Sequence, residues 1–294
     1  MGIAKMQHIA ILGTGRMGKG IALNILRSGR NLTVWNRSKE KAKTLIDAGA
    51  VWADTPAEAA ANADAVIAML SDDIASQEVW LGLHGAMPQM KAGTFVIECS
   101  TLSADHVEAL SSEASRRGLV YIDCPVTGIP EAAEKAQLTL LVGADTDDLE
   151  KCSALLQSFS AVIRHFGNIG TGTAYKLIIN LMGAVQIAGL AEGIAMAHAA
   201  GLDMNTVTAA IEHSAAASPQ VVRYTSRMAE NTFAEHPGFT TSLRYKDAAY
   251  AAALAQQMQV PARLGEVAKE WFDKAKELYP DQDEALVVKL MHPE

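Results

Sequence analysis

Cysteine is scarce in this sequence, whose 294 residues include only Cys99, Cys124 and Cys152. The number is odd and no pair has CxxC spacing, which argues against both a disulfide framework and a zinc site. The histidines show no HxxxH or HExxH pairing, so we expect no bound metal. Unpaired thiols are typical of a reducing compartment, and we therefore expect a cytoplasmic protein.

Long apolar runs and an excess of positive charge are also missing. No stretch of eighteen consecutive apolar residues occurs, and no basic segment followed by an apolar one opens the chain, so we expect neither a membrane span nor export. The 25 Lys and Arg residues against 33 Asp and Glu residues give a net charge of -8, which repels nucleic acid. An anionic cofactor can still bind, because a helix N-terminus and a few local cations outweigh a diffuse charge at contact distance.

Short apolar runs alternate with helical patterns over the first 166 residues. Their apolarity is continuous, which is typical of parallel strands covered by helices on both faces. A helix start is marked at Thr55-Pro56, with Glu58 three residues after the cap. The predicted strands are His8 to Leu12, Leu32 to Asn36, Ala65 to Leu70, Thr94 to Glu98, Val120 to Asp123, Leu138 to Val142 and Ala161 to Phe166.

A glycine-rich motif follows the first of these strands directly and precedes a helical stretch. In a GxGxxG fingerprint the first glycine allows a tight turn, the second lets the backbone approach a pyrophosphate, and the third lets helix and strand pack. An ordinary glycine turn is the alternative, but the flanking strand and helix favour a dinucleotide site. The predicted cofactor residues are Gly13, Gly15, Arg16, Met17 and Gly18, and Thr14 completes the motif.

The end of the second predicted strand indicates which dinucleotide is bound. An NAD enzyme carries Asp or Glu about 20 residues after the glycine motif, whereas this chain has Asn36-Arg37-Ser38. Arg37 can hold a 2′-phosphate with two hydrogen bonds, and Asn36 and Ser38 can add neutral ones. The alternative is that Arg37 is a solvated surface cation. Its position after the strand favours NADP as the cofactor.

The second half of the chain is predicted to be helical. A segment rich in Ala, Ile and Leu runs from Gly172 to about Ala200 without proline, which indicates one long helix. Later helix boundaries fall at Gly201-Leu202-Asp203, Ser218-Pro219, Pro237-Gly238 and Val260-Pro261. The predicted fold is therefore α/β, with a Rossmann-type dinucleotide-binding domain over residues 1–166. Residues 167–294 would begin with the long interdomain helix and form an all-helical substrate and dimerisation domain, with a small-molecule substrate between the domains.

Two polar residues near the start of the long helix are candidates for chemistry. A glycine-rich stretch, residues 167–172, precedes the helix, and Lys176 and Asn180 follow at i and i+4 on one face. A lysine near a helix start is usually solvated. Here the glycines allow a ligand to approach closely, so Lys176 is the candidate catalytic group.

On these motifs the chain resembles the β-hydroxyacid dehydrogenases, which include 3-hydroxyisobutyrate dehydrogenases, tartronate semialdehyde reductases and glyoxylate/succinic semialdehyde reductases. The resemblance covers nearly the whole chain. It rests on Gly13 to Gly18, Asn36-Arg37-Ser38, Ser100-Thr101, Asp123-Cys124-Pro125-Val126-Thr127-Gly128, Gly167 to Asn180, Pro237-Gly238-Phe239 and Lys246-Asp247.

The resemblance implies a role for each matching residue. Lys176 would be the general acid in reduction and the general base in oxidation, because an ammonium both stabilises an alkoxide and supplies its proton. Asn180 would orient a small substrate, and Thr127 with the Gly128 backbone would bind its carboxylate. The remaining cofactor residues implied are Thr101 and Lys246 at the nicotinamide and Leu70 and Ser71 at the cofactor border.

Four residues depart from the family pattern: Thr127 stands where serine is usual, and Ile129, Ala132 and Ala136 stand where glycine is common. A branched side chain beside backbone donors alters a carboxylate site. One alternative is therefore a reductase of imines or neutral carbonyls, although imine reductases generally carry Asp or Tyr in place of Lys176. A second alternative is a sensor that binds NADP without turnover, against which Lys176 argues. The apolar helical half favours a homo-oligomer, either a dimer or a tetramer.

Overall fold

A computed structural model describes residues 6–291 of the chain. The chain divides into two compact units, Met1–Lys176 and Leu177–Glu294. The division falls inside a long helix, α8, that spans Thr171–Ala199. The domain boundary at residues 166 and 167 stays a prediction.

The first unit is built on one nine-stranded sheet. Its first six strands are parallel and lie in the order β3-β2-β1-β4-β5-β6. Strand β8 then pairs antiparallel with β6 and β7, and β9 pairs parallel with β8. The strands are β1 His8–Leu12, β2 Asn31–Trp35, β3 Val51–Trp52, β4 Ala65–Ala68, β5 Phe95–Glu98, β6 Val120–Asp123, β7 Val126–Thr127, β8 Leu138–Gly143 and β9 Ser160–Gly167.

Helices cover both faces of this sheet. Alternate residues of β1 belong to different apolar clusters: Ile9 and Ile11 lie in one, Ala10 and Leu12 in the other. All four side chains are buried, so residues 9–12 of the strand are apolar on both faces of the sheet. The helices of this unit are α1 Arg16–Arg27, α2 Lys43–Asp47, α3 Pro56–Ala60, α4 Asp73–Leu81, α5 Ala104–Arg116, α6 Pro130–Glu134 and α7 Thr146–Leu156.

The predicted start of α3 is confirmed. The Thr55 hydroxyl accepts a hydrogen bond from the Glu58 backbone N–H at 3.1 Å, and Pro56 is the first helical residue. The Glu58 carboxylate accepts in turn from the Asp54 backbone N–H at 2.9 Å. This reciprocal pair satisfies two donors at the helix start, as in a capping box shifted by one residue.

The expectation of parallel strands is correct for the predicted strands among β1 to β6. It is wrong for β8, which runs antiparallel to β6, and for β9, which is parallel to β8. Continuous apolarity reports burial on both faces and carries no information about strand direction. The two-residue strands β3 and β7 were not predicted, since two residues give no periodic pattern.

The second unit is helical. No β-strand occurs between residues 177 and 291. The predicted break at Gly201-Leu202-Asp203 and the predicted helix start at Ser218 are confirmed. The Asp203 and Ser218 side chains each accept from a backbone N–H three residues on, at 2.9 and 3.1 Å. After α8 come α9 Met204–Glu212, α10 Pro219–Ala229, α11 Thr241–Gln257, α12 Arg263–Leu278 and a 3-10 helix Glu284–Leu290.

Within residues 6–291, α8 alone is long and apolar enough to cross a membrane, judged by length and composition. Only 39% of its most apolar stretch is buried inside the structure. A single helix of this kind is weak evidence, since a core helix passes the same test. The absence of a membrane span stays a prediction.

Candidate active site

The glycine motif forms the loop between β1 and α1. Gly13 has φ +97°, and a Cβ there would lie 2.3 Å from the Met69 carbonyl oxygen. A Cβ on Gly18 would lie 2.0 Å from the Gly13 carbonyl oxygen. By contrast, Gly15 faces open space and caps α1 without a side-chain hydrogen bond. The backbone N–H groups of the first turn are therefore left for a ligand.

Asn36 ties this loop to the loop after β2. Its side-chain carbonyl accepts from the Thr14 backbone N–H at 2.9 Å, and its side-chain NH₂ donates to the Ser38 carbonyl at 3.0 Å. The Thr14 hydroxyl is buried without a hydrogen-bond partner among the described residues. A glycine cradle, open N–H groups and an orphaned hydroxyl together fit the pyrophosphate of a dinucleotide.

The segment after β2 carries positive charge. Arg37 is exposed, Ser38 is half-buried, and no carboxylate occurs in Asn36-Arg37-Ser38. Arg16 is exposed at the start of α1. An anionic group beside β2 would thus meet guanidinium groups, although the direct phosphate contacts of Asn36, Arg37 and Ser38 stay predictions.

A buried carboxylate that was not predicted from the sequence supports the loops after β4 and β5. Glu98 accepts from the Trp80 indole N–H at 2.7 Å and from the Ser100 backbone N–H at 2.9 Å. Burial raises the pKa of Glu98 while these bonds oppose the rise. The Ser100 hydroxyl then accepts from the Leu70 backbone N–H at 2.8 Å. The backbone of Leu70, a predicted cofactor residue, is therefore held by the loop that follows β5.

The other predicted residues of these two loops are less constrained. Ser71 is exposed, and its hydroxyl donates to Asp72 at 2.8 Å. Thr101 is half-buried directly after Ser100. Both follow the carboxyl ends of parallel strands, where α/β sheets bind ligands.

The predicted carboxylate loop follows β6. Thr127 ends β7, and the next residue, Gly128, has φ +141°. A Cβ on Gly128 would lie 2.8 Å from the Leu138 side chain, so there is no space for one. Ile129 is 41% exposed at the start of α6. Ala136 has φ +55°, a left-handed backbone that favours glycine. Glycine, which the family resemblance implies at position 136, adopts this backbone without strain, whereas alanine does not.

Lys176 lies in the second turn of α8 and is 9% exposed. Asn180 is half-buried one turn later on the same helix. Because α8 is continuous here, the i and i+4 spacing places both residues on one helix face. A lysine this well buried is unusual for a solvated surface cation.

In the second unit Asp247, which was not predicted as a site residue, links two residues that were. The Asn180 side-chain NH₂ donates to one Asp247 oxygen at 2.6 Å, and the Lys246 ammonium lies 3.1 Å from the other. Asp247 is 2% exposed. The Arg244 guanidinium also donates to the Asn180 backbone carbonyl at 3.0 Å. The structure therefore brings Asn180 and Lys246 together through a shared buried carboxylate.

Within residues 6–291 no group of three or more His, Cys, Asp or Glu side chains is arranged to hold a metal ion. The described residues supply an amine at Lys176 and an amide at Asn180, and the first unit separately supplies a glycine loop that fits a dinucleotide. This combination suits hydride transfer with proton transfer at oxygen.

Family models match almost all of the chain. Residues 8–169 match the model of the NAD binding domain of 6-phosphogluconate dehydrogenase. Residues 170–291 match a model described as NAD-binding of NADP-dependent 3-hydroxyisobutyrate dehydrogenase.

Known proteins are similar over the same length. The uncharacterized oxidoreductase YfjR of Bacillus subtilis is 35% identical over 283 residues, which cover 96% of this chain and 98% of that protein. The NAD-dependent L-serine dehydrogenase of Pseudomonas aeruginosa is 31% identical over 294 residues, covering 98% and 99%. A 3-hydroxyisobutyrate dehydrogenase of Mycobacterium tuberculosis, solved with L-serine, superposes with a TM-score of 0.88 at 26% identity, covering 98% and 100%. The chain therefore belongs to the β-hydroxyacid dehydrogenase family and is an NAD(P)-dependent oxidoreductase acting on CH–OH groups.

Proposed function

We propose that the protein interconverts a small semialdehyde or keto acid and the corresponding hydroxy acid, with NADP as cofactor and Lys176 as general acid and base. The observation that carries this proposal is the burial of Lys176 directly after the glycine-rich entrance to α8. A lysine residue that is only 9% exposed is rare, because lysine side chains are mostly exposed in folded proteins.

The reaction needs a proton as well as a hydride, and the nicotinamide supplies or accepts only the hydride. During reduction, negative charge develops on the substrate oxygen. The Lys176 ammonium stabilises that charge and donates a proton to the oxygen, and in oxidation the neutral amine removes it. The Asn180 side-chain NH₂ donates to Asp247, which fixes the orientation of the amide, and the role proposed for this amide is to orient the substrate.

The preference for NADP rests on the segment after β2. No carboxylate occurs at positions 36 to 38 to bind ribose hydroxyls, and Arg37 is exposed there. A 2′-phosphate would meet a guanidinium, whereas NAD would have no acidic partner. The relative from P. aeruginosa is described as NAD-dependent, so a direct comparison of the two cofactors is needed.

The substrate is proposed to carry a carboxylate. Thr127 and Gly128 offer a hydroxyl and backbone N–H groups in the loop after β6, and both are accessible. Two similar proteins are described with L-serine, which is a 3-hydroxy acid. This supports a substrate in which the hydroxyl-bearing carbon and the carboxylate are close together.

A substrate panel with two cofactors tests the proposal. Glyoxylate, succinic semialdehyde, 3-hydroxyisobutyrate, L-serine and a cyclic imine are offered with NADP(H) or NAD(H), and nicotinamide absorbance is followed. We expect turnover of carboxylate-bearing compounds with a preference for NADP(H). Turnover of the imine alone would contradict the substrate class, and cofactor binding without any turnover would indicate a sensor.

Two matched pairs of variants test the residue roles. Lys176→Met should lower kcat by a factor of about 10² to 10⁴ while NADPH affinity stays near native, and Lys151→Met, at an exposed ion-paired lysine, is its control. Arg37→Ser should weaken NADPH binding much more than NADH binding. Lys43→Ser, which removes an exposed cation paired with Asp47, is the matching control. Equal losses for both cofactors would refute the phosphate role.

A homo-oligomer in the cytoplasm is also part of the proposal. Large apolar side chains on α8 are exposed, namely Ile178 at 47%, Met182 at 56% and Met196 at 71%. A second copy of the chain could cover them. The free cysteines Cys99 and Cys124 suit a reducing compartment. Light scattering of the purified protein gives the oligomeric state, and a monomer would contradict this part.

A further inference from the structure

A buried carboxylate outside the predicted site residues holds the start of α8. Asp123, the last residue of β6, is fully buried. Its two oxygens accept from the Thr173 backbone N–H at 2.9 Å and from the Thr173 hydroxyl at 2.6 Å. The backbone N–H groups of Gly170 and Gly172 also donate to it.

These donors are the ones that a helix leaves unsatisfied. Helix α8 begins at Thr171, so the N–H groups of Gly170, Gly172 and Thr173 have no carbonyl partner within the helix. A side chain at the cap position usually accepts from such groups. Here the cap position is a glycine, and a residue 50 positions earlier in the chain takes over this function.

The helix start is also packed tightly against the sheet. A Cβ on Gly172 would lie 2.3 Å from the Leu141 carbonyl oxygen, and a Cβ on Gly143 would lie 3.0 Å from an Asp123 oxygen. The backbone of α8 therefore has little freedom to shift while the carboxylate is bound. Lys176 lies three residues beyond Thr173, and a regular helix bonds its N–H to the Gly172 carbonyl.

We propose that Asp123 is a positioning residue for Lys176, whose amine is correctly placed only while the Asp123 carboxylate is ionised and holds the first turn of α8. This inference rests on the proposed function of Lys176. An ionised carboxylate can accept all four hydrogen bonds, whereas a protonated one has a donor facing N–H groups. Protonation would therefore loosen the turn that carries the amine.

The geometry implies a pH dependence in the acid range. Burial raises the pKa of Asp123 to about 6, and the hydrogen bonds from Thr173, Gly170 and Gly172 oppose that rise. Turnover should fall as the pH drops through this value. Other titratable groups lie near Asp123 on the elements packed against it. They are Glu98 at the end of β5 and Cys99 after it, Tyr121 in β6 and Cys124 after it, and His165 in β9, whose Nε2 lies 3.0 Å from the Gly167 carbonyl oxygen.

The experiment compares native protein with Asp123→Asn and Thr173→Val. Turnover of the substrate found in the panel is measured across the pH range, with NADPH affinity measured in parallel. Asp123→Asn should lower kcat by about tenfold or more, since small misplacements of a catalytic group are costly. NADPH affinity should change less than about twofold, and the acid limb of kcat should disappear.

Thr173→Val keeps the carboxylate and removes one donor, so the fold is less disturbed. The lost hydrogen bond normally lowers the pKa of Asp123. The acid limb should therefore move to higher pH, with a smaller loss of kcat. A merely structural role would lower stability without moving this limb.

A readout that needs no substrate accompanies the kinetics. Acetylation of Lys176 by acetic anhydride is followed by peptide mass spectrometry relative to Lys151, whose side chain is 54% exposed. Labelling of Lys176 should be slow in the native protein, which buries it, and several-fold faster in Asp123→Asn. In the native protein the ratio should rise as the pH falls through about 6.

Glu98→Gln and His165→Gln are the controls, since either side chain is a rival source of an acid limb. Both should retain it. The inference is overturned if Asp123→Asn keeps native turnover and labelling, if its acid limb persists, or if a control variant loses the limb instead. Activity retained by Lys176→Met would refute the proposed function separately, while the labelling of Lys176 still reports on Asp123.

Discussion

Replacing Asp123 with Asn should change stability in a way that depends on pH. The pKa of this carboxyl rises from 3.8 to about 6 because it is buried. Each pKa unit corresponds to about 1.4 kcal/mol, so ionising the buried side chain destabilises the fold by about 3 kcal/mol. The pKa of Asp123 is higher in the folded than in the unfolded protein. The stability that the protonated side chain contributes is therefore fully present below the unfolded pKa and is lost as the pH rises through about 6.

Only part of this difference falls within a convenient pH range. Between about pH 5 and about pH 8 the Asp123 contribution to the free energy of unfolding falls by about 1.4 kcal/mol. Asparagine does not titrate, so the stability of Asp123→Asn relative to native protein should improve by that amount over the same range. Urea unfolding at several pH values measures both free energies.

The difference in free energy of unfolding between Asp123→Asn and native protein is compared between pH values. Titration of all other groups affects both proteins equally and cancels in this comparison. Asp47→Asn, at a side chain that is 60% exposed, is the control and should show little pH-dependent difference. The reasoning is refuted if the stability of Asp123→Asn relative to native protein is constant with pH. It is also refuted if that relative stability worsens as the pH rises, since the sign would then be that of a depressed pKa.

Three further substitutions have defined outcomes. Ala136→Gly should stabilise the protein by about 0.5 to 1 kcal/mol, because relief of a left-handed alanine exceeds the added chain entropy; a lower urea midpoint would contradict this. Glu284→Gln should destabilise it by about 3 kcal/mol or more, because it leaves the buried Arg244 without its charged partner; an unchanged melting temperature would show that the pair contributes nothing. Ile129→Gly should lower KM for a carboxylate-bearing substrate by about tenfold and leave KM for a neutral carbonyl unchanged, because it uncovers backbone donors; equal changes in both would count against a carboxylate site in that loop.

Local patterns were enough to predict most of the first unit. The strands His8–Leu12 and Val120–Asp123 lie where their apolar runs indicated, and the Thr55 cap forms as expected. The antiparallel strand β8 was not predictable in this way, because strand direction follows from pairing across the sheet and not from the residues of one strand.

The candidate site was predictable where its residues are neighbours in sequence. The glycine loop and the spacing of Lys176 and Asn180 are local signals. The carboxylates that support them are not, because Asp123 lies 50 residues from Thr173 and Asp247 lies 67 residues from Asn180. No spacing rule connects such pairs, and only the fold brings them together.

Asn36 shows a different kind of limit. Its amide group is predicted to contact the cofactor phosphate, and the structure gives it an additional role that the sequence did not indicate, as a link between the Thr14 backbone N–H and the Ser38 carbonyl. A residue type that suits a ligand equally suits the backbone of a loop. Sequence alone cannot separate these two uses, since both need the same donor and acceptor.

Three buried carboxylates, Glu98, Asp123 and Asp247, have a common effect on the candidate site. Each accepts hydrogen bonds from a segment that bears a predicted site residue: Glu98 through Ser100, Asp123 through the first turn of α8, and Asp247 directly from Asn180. Burying a carboxylate is unfavourable, and well-packed apolar residues would often be as stable or more stable. The carboxylates are therefore better explained by the geometry that they impose than by the stability that they add. Substituting any one of them should consequently impair activity more than it impairs folding.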